Sequence, residues 1–478
     1  MRSSCWMTFS SFLCSAAIAC GGADDDSPAP VVACSPGGAG GCGDGLVCEE
    51  VASAEPACFA PVVLQGRVTD LARRAPVEGA TVVALDVNGS ARSPVVLSDA
   101  DGNYEIALPA PRSAEGVPLA ASVTLRVAAN GYQSFPTPPR EALPIELGGD
   151  ASVRSEGTWT VRNATTDVGL TPLASASAEL GTVEGSIIGQ EAAGSLVVAV
   201  KADRAVSTAV ADVDGRFTLF NVPAGEVVIE AYRSGIVVAP QTATARAGEI
   251  TSDVSLAATG DRLASVSGSV NVVNASGGEE TSVILAVAST FQADTARGIA
   301  PAGLRAAGVT GAFSIVEVPP GRYAVLAAFE NDQLVRDPDE GIAGTDIVFI
   351  DVGGDGTEVV MEESFKVTGA LEVMAPGADA LELLPPGDPT FVWADDSSED
   401  GYELRVFDAF GKTVHEATDI ARVTGSETVS YTWAGAVLEP GMIYQFRVLS
   451  YQEGRRTRGA RTYISATEDL RGVFQVEE

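Results

Sequence analysis

The sequence contains few of the residues that most enzymes use. Histidine occurs once in 478 residues and lysine three times. One histidine cannot form the zinc peptidase sites that need two, and His415 would have to serve any Ser-His-Asp arrangement. No Gly-x-Ser-x-Gly elbow, Walker loop or dinucleotide fingerprint is present. We therefore expect a non-enzymatic chain with no cofactor and no metal, and we expect His415 to lie on the surface.

Positive charge is also scarce. The chain has 30 Lys+Arg against 64 Asp+Glu, which gives a formal net charge of -34 at pH 7. No basic stripe interrupts this acidity. Such a surface repels the phosphate backbone of nucleic acid and anionic lipid headgroups, so neither is an expected partner. Acidity of this kind is typical of an exposed protein that must stay soluble.

Long apolar runs are missing after the first 20 residues, so no spanning helix is expected there. The sequence Ala17-Ile18-Ala19-Cys20, after an apolar stretch with Arg2 near its start, resembles the end of a bacterial lipoprotein signal peptide. The family usually has leucine where this chain has Ala17. The resemblance implies a signal peptide over 1–19 and a lipid on Cys20 that binds a membrane. Ordinary secretion with cleavage after Ala19 is the alternative.

The segment 20–33 is small, acidic and proline-containing, which predicts a solvated tether. Gly21 follows Cys20, so the Asp-type signal for retention in the inner membrane is absent. This favours an outer-membrane lipoprotein of the bacterial cell envelope, facing the periplasm or the surface.

Cysteine is absent after residue 58. Four cysteines fall within the segment 34–58: Cys34, Cys42, Cys48 and Cys58. In an exported chain they predict two disulfides, because a segment this short cannot bury a core of its own. Three pairings are open. A zinc site is the alternative, which an oxidising compartment and the lack of a nearby histidine disfavour.

What the chain does contain is one phrase written three times, at 99–111, 212–235 and 308–331. Each phrase has a Gly-containing turn, an alternating apolar run, a proline-containing turn and a second apolar run. Alternation with a period of two around Pro-x-Gly predicts a β-hairpin. An opening strand precedes each phrase and a closing strand follows it, while the spacing between them varies. Variable spacing favours separate β-sandwich modules over a solenoid.

The first module, with GRVTD, PVEGATVVAL and SDADGNYEIALP, resembles the carboxypeptidase regulatory-like family. That resemblance implies a transthyretin-type β-sandwich, a fold grouped with carbohydrate-binding-like domains. The second and third modules keep the Gly-x-[Tyr/Phe] and Pro-x-Gly parts only. We number these predicted sandwiches module 1 (62–173), module 2 (180–258) and module 3 (263–364).

Module 4 (370–468) resembles a fibronectin type III domain. Trp393 lies on an early strand, and a Leu-x-Pro-Gly turn leads to Tyr444, which would be the tyrosine corner. The tail 469–478 is expected to be frayed. The predicted fold is therefore all-β, with serial β-sandwiches after a small disulfide-rich segment.

These features predict a non-catalytic, lipid-anchored envelope protein that acts in adhesion, scaffolding or spacing, with its modules arranged as a rod. Carbohydrate binding is one alternative, with Tyr132, Phe135 and Trp159 as glycan contacts. A hydrolase using paired carboxylates is another. The expected partners are the membrane, glycans and envelope proteins. The Asp99–Asn103 loop could hold calcium, but its missing distal glutamate favours a plain turn.

Overall fold

A computed structural model describes residues 34–35, 41–149, 151–155, 157–173, 179–189, 192–273, 281–292, 297–328, 347–362, 364–368, 370–396, 398–453, 461–468 and 470–477. The predicted signal peptide and tether lie outside these ranges. The sheets pack in pairs as serial β-sandwiches, which confirms the predicted fold class. The helices within these ranges are two 3₁₀ turns, Ala164–Thr166 and Ala288–Thr290. Across the same ranges, no helix has the length and apolarity to span a membrane.

A disulfide-bonded hairpin precedes the modules. Its strands β1 (Val47–Glu49) and β2 (Ala57–Phe59) pair antiparallel. The disulfides join Cys34 to Cys48 and Cys42 to Cys58, one of the three pairings that the sequence left open. All four sulfur atoms are used in this way, so none is left as the thiolate that zinc requires.

A buried ion pair fixes this hairpin to module 1. The side chains of Glu49 and Arg112 are each 1% exposed and form a salt bridge. Glu49 also accepts a hydrogen bond from the Ala110 backbone N–H at 2.9 Å, and Arg112 donates to the Ala60 carbonyl at 2.8 Å. Because buried charges are stable only when paired and hydrogen-bonded, these contacts hold the hairpin in one place.

Modules 1, 2 and 3 share one strand order. In each, the opening strand pairs antiparallel with the phrase strand and parallel with the closing strand, and four strands form the second sheet. Module 1 contains β3 (Val62–Asp70), β4 (Thr81–Leu85), β5 (Val96–Leu97), β6 (Asn103–Leu108), β7 (Ser122–Ala128), β8 (Ile145–Glu146), β9 (Val153–Ser155), β10 (Thr158–Val161) and β11 (Val168–Leu170). Module 2 contains β12 (Leu180–Ile188), β13 (Leu196–Lys201), β14 (Arg204–Val210), β15 (Arg216–Pro223), β16 (Gly225–Tyr232), β17 (Gln241–Ala245) and β18 (Ile250–Ala257). Module 3 contains β19 (Ala264–Val273), β20 (Thr281–Val287), β21 (Arg305–Val309), β22 (Ala312–Val318), β23 (Gly321–Ala328), β24 (Val348–Val352), β25 (Val359–Val360) and, just past its expected end, β26 (Phe365–Thr368).

The repeated phrase does not form the predicted β-hairpin. In module 2, β15 pairs with β12, whereas β16 pairs with β13 and β17 in the other sheet. The Pro223–Gly225 turn therefore carries the chain from one sheet to the other. Side-chain alternation is the same in both arrangements, because each strand turns its apolar side chains toward the same core.

A glycine of each opening strand lies opposite an aromatic residue of the phrase. The registered pairs are Gly66 with Tyr104, Gly185 with Phe217, and Gly268 with Phe313. A Cβ added at Gly66 would collide with the Thr166 carbonyl oxygen and lie 2.6 Å from the Tyr104 hydroxyl oxygen. The ring covers the glycine, so the two positions recur together as one packing unit.

Module 4 is a sandwich of different strand order. Its strands are β27 (Val373–Ala375), β28 (Glu382–Leu384), β29 (Thr390–Ala394), β30 (Gly401–Asp408), β31 (Thr413–Ala421), β32 (Thr428–Thr432), β33 (Ile443–Glu453), β34 (Arg461–Ala466) and β35 (Val473–Val476). Trp393 is fully buried, and the Tyr444 hydroxyl accepts the Glu439 backbone N–H at 2.8 Å, as a tyrosine corner would.

The expectation of a frayed tail at 469–478 is wrong. β35 lies in that segment and pairs with both β28 and β33. Phe474, on this strand, is fully buried in the core of module 4. The strand stays ordered because the aromatic side chain buries far more apolar area than an end of the chain would lose by fraying.

The modules do not form a rod, because module 1 contacts all three others. Arg140 of module 1 donates to the Phe410 carbonyl of module 4 at 3.0 Å, and an apolar cluster that contains Leu143 and Phe407 joins the same two modules. Glu141 of module 1 pairs with Arg297 of module 3 at 2.9 Å. Outward-facing residues of the sandwiches carry these contacts, so the sandwiches pack against one another and are not spaced apart.

Candidate functional site

The single histidine lies in an aromatic cluster of module 4. His415 is half-buried, its Nε2 is 2.8 Å from the Tyr431 hydroxyl oxygen, and its ring centroid is 4.9 Å from that of Trp433. The expected exposed position is therefore only partly correct. These contacts give His415 a packing role and leave it without the carboxylate and nucleophile neighbours that a catalytic triad needs.

The three aromatic residues proposed as glycan contacts do not form an exposed platform. Phe135 is 3% exposed in the core of module 1, and the Arg140 guanidinium covers its ring at 4.7 Å. Tyr132 is half-buried and donates to Asp70, while Trp159 is half-buried with Arg154 5.8 Å from its ring. Sugar stacking needs an open ring face, so Phe135 cannot serve as a glycan contact.

The acidic Asp99–Asn103 loop is a hydrogen-bonded turn. Asp99 Oδ1 accepts the backbone N–H groups of Asp101 at 2.9 Å and Asn103 at 2.7 Å. The same pattern recurs in the loops that begin at Asp86, Asp212 and Asp408. Because each of these carboxylates bonds its own loop, we assign them to turn formation.

A second acidic loop lies in module 4. Asp396 accepts from the Ser450 hydroxyl at 2.7 Å, and Asp395 accepts from the Tyr402 hydroxyl at 2.7 Å. Burial raises the pKa of Glu399 to about 7, and the charges of Asp395 and Asp396 add to the shift. The two aspartates act as hydrogen-bond acceptors within the fold, which is a structural use of paired carboxylates.

A cleft with a volume of about 720 Å³ lies between modules 1 and 2. Outward-facing residues of β4, β5 and β7 form its module 1 side. Outward-facing residues of β12, β14, β15 and β18 form its module 2 side. This volume is within the usual size of small-ligand sites, about 300–1,000 Å³. The cleft is the largest concave feature that the described ranges show with residues from two modules.

Arg126 provides the positive charge inside this cleft. It lies on β7, on the outward face of the strand, and is half-buried. Burial lowers the pKa of Arg126 to about 10, so the guanidinium remains charged at neutral pH. Its hydrogen-bond partner across the cleft is the Thr208 hydroxyl. Within the described ranges, no carboxylate pairs with it.

Aliphatic side chains surround this charge. Leu97 of module 1 is 64% exposed and Ile188 of module 2 is 61% exposed, and both line the cleft together with Val95. No solvent-facing aromatic ring is among the described lining residues, since the ring of Phe217 packs against Gly185 in the core of module 2. The cleft therefore offers apolar contact around one cation.

Acidic groups lie on the module 2 side: Glu184, Asp212 and Asp253. Arg216 lies there too, but it forms an exposed pair with Asp214 at 3.4 Å. The cleft thus combines one cation without a carboxylate partner and several carboxylates. It can accept a ligand with a single negative group, and it repels a ligand with many.

The junction beside the cleft is fixed by the repeated phrase. Asn221, at the end of the phrase strand in module 2, has a positive φ of 59°. Its side chain accepts from the Gly131 N–H at 2.9 Å and donates to the carbonyls of Ala129 at 3.1 Å and Tyr132 at 2.8 Å. In module 3 the equivalent residue Glu317 also has a positive φ, and its carbonyl accepts the Gly235 N–H of module 2 at 3.0 Å. The phrase therefore joins neighbouring modules as well as filling their cores.

Sequence reasoning missed this cleft, because its two sides come from different modules. The available signal was Arg126 itself, an arginine at an outward position of an apolar alternating strand, VTLRVA. Only the packing of the modules places it opposite Thr208.

Comparisons with known proteins leave the family open. No family model matches the chain, and no curated protein matches it. Solved structures with partial likeness include the Bacillus anthracis TIE protein, at 10% identity and TM-score 0.15, over 84% of this chain and 68% of that one. The shaft pilin SpaA from Lactobacillus rhamnosus GG matches at 13% identity and TM-score 0.17, over 42% and 99% of the two chains. BcpA, the major pilin subunit of Bacillus cereus, matches at 12% identity and TM-score 0.17, over 64% and 99%. TM-scores this low carry no inference about function.

Proposed function

We propose that this chain is a non-catalytic protein of the bacterial cell envelope, held on a membrane by a lipid on Cys20. Its modules form a packed body that acts in adhesion or scaffolding. The observation that carries this proposal is the disulfide-bonded hairpin, which begins 14 residues after Cys20 and docks on module 1 through the Glu49–Arg112 pair. Disulfides of this kind belong to an exported protein.

Two further features support a binding or scaffolding role. The residues best suited to chemistry, His415 and the loop carboxylates, are used in packing and turns. The modules instead present a cleft built from two sandwiches, which suits ligand binding more than bond cleavage. The short tether then places the cleft close to the membrane surface.

Replacing the anchoring cysteine tests the proposal. Cys20→Ala should abolish incorporation of an alkyne-labelled fatty acid and move the protein from the membrane fraction to the soluble fraction. Cys14→Ala, in the expected signal peptide, is the matched control and should keep both label and membrane association. Persistent labelling of Cys20→Ala, or an unmodified protein that never takes up label, contradicts the lipid anchor.

A further inference from the structure

We propose that the cleft between modules 1 and 2 binds the free carboxyl terminus of a peptide, with Arg126 pairing with the terminal carboxylate. This inference deepens the proposed function by naming the ligand class of an envelope binding protein. Neither module contains the site alone, because the cation lies on module 1 and its opposing wall lies on module 2.

The charge of Arg126 carries the first step. A guanidinium has five N–H donors, and the described partner of this one is a single hydroxyl, that of Thr208. A carboxylate is the group that matches the remaining donors, because it accepts two parallel hydrogen bonds from the guanidinium fork. The partial desolvation that lowers the pKa of Arg126 also strengthens such a pair relative to one in open water.

The acidic wall limits the number of negative charges on the ligand. Glu184, Asp212 and Asp253 line the same cleft, and the whole chain carries a net charge of -34. A polyanion such as an acidic polysaccharide would be repelled at all of these groups. One terminal carboxylate on an otherwise neutral or cationic chain satisfies Arg126 and avoids that repulsion.

The apolar walls favour a peptide over a sugar. Leu97 and Ile188 are exposed aliphatic side chains within the cleft, whereas sugar sites use aromatic rings as platforms. An aliphatic last residue would bury these side chains from water. The outward positions of β12 and β7 that line the cleft also offer a flat, extended surface, which suits a peptide in extended conformation.

Binding of terminal peptides tests this proposal directly. The probes are fluorescein-labelled hexapeptides ending in Ala, Val or Leu, each made with a free carboxylate and with a carboxamide. Fluorescence polarisation with the full-length protein in detergent should show binding of the free-carboxylate peptides, and at least tenfold weaker binding of the carboxamides. Equal binding of both forms, or binding of neither, overturns the proposal.

Two variants separate the site from the fold. Arg126→Gln should weaken binding at least tenfold, because it removes the charge that pairs with the carboxylate. Leu97→Glu should weaken it as well, and its exposed position protects the fold. Arg216→Gln, on the same cleft but already paired with Asp214, should bind within twofold of the parent. If Arg126→Gln binds as well as the parent, the assignment is wrong.

Oligouronates provide the competing arm. Their binding with an Arg126→Gln loss, in the absence of peptide binding, would assign the cleft to acidic sugars and overturn the peptide. These outcomes are independent of the lipid on Cys20, so failure of the cleft assignment and failure of the membrane anchor are read from different experiments.

Discussion

Gly66, Gly185 and Gly268 each lie opposite an aromatic residue, and at these positions a single methyl group decides whether the strand fits. The sequence allowed the recurrence of the glycines and of the rings to be read. It did not show that they touch, because the register between strands 30 to 45 residues apart is a tertiary property. The same holds for Arg126, whose outward position is readable but whose neighbours are not.

At this scale we predict the effect of filling one glycine. Gly66→Ala should lower the free energy of unfolding of module 1 by about 1–3 kcal/mol, because the added methyl group meets the Thr166 carbonyl oxygen and the Tyr104 hydroxyl. Gly311→Ala is the control: a Cβ there meets nothing within 4 Å, so the change should stay within about 0.5 kcal/mol. Urea unfolding monitored by circular dichroism measures both. Equal stability of the two variants would contradict the packing described.

Strands were the elements best predicted from sequence, and their partners were the least. Alternating apolar residues located β15 and β16, yet the predicted hairpin between them was wrong because they belong to different sheets. Periodicity reports which face of a strand is buried, and both arrangements bury the same faces. The tail was misjudged for a related reason: β35 is short, and only Phe474 signals that it is held in a core.

The docking of the disulfide hairpin gives the prediction for this scale. Arg112→Met should destabilise the junction of hairpin and module 1 by about 3–5 kcal/mol, because it leaves the Glu49 carboxylate buried without its cation. Arg216→Met removes an exposed pair of the same type and should cost about 0–1 kcal/mol. Thermal unfolding under non-reducing conditions compares them. A loss for Arg112→Met no larger than for Arg216→Met would show that the hairpin is not docked.

The arrangement of the modules could not be read from sequence at all. It depends on a few polar contacts between loops, such as Arg140 with the Phe410 carbonyl and Asn221 with the 129–132 turn. Residues of these types are ordinary on protein surfaces, so nothing in the one-dimensional pattern marks them. The cleft exists because modules 1 and 2 are held face to face, and a string of independent modules would not form it.

The compactness of the chain is therefore the most direct test, and small-angle X-ray scattering of the lipid-free Cys20→Ala protein measures it. A compact chain of this length has a radius of gyration of about 23 Å, and the segments outside the sandwiches raise the expected value to roughly 25–30 Å. Four modules in a line, each with a radius of gyration of about 13 Å, would give about 40 Å. A value near 40 Å would contradict the packed arrangement and with it the cleft between modules 1 and 2.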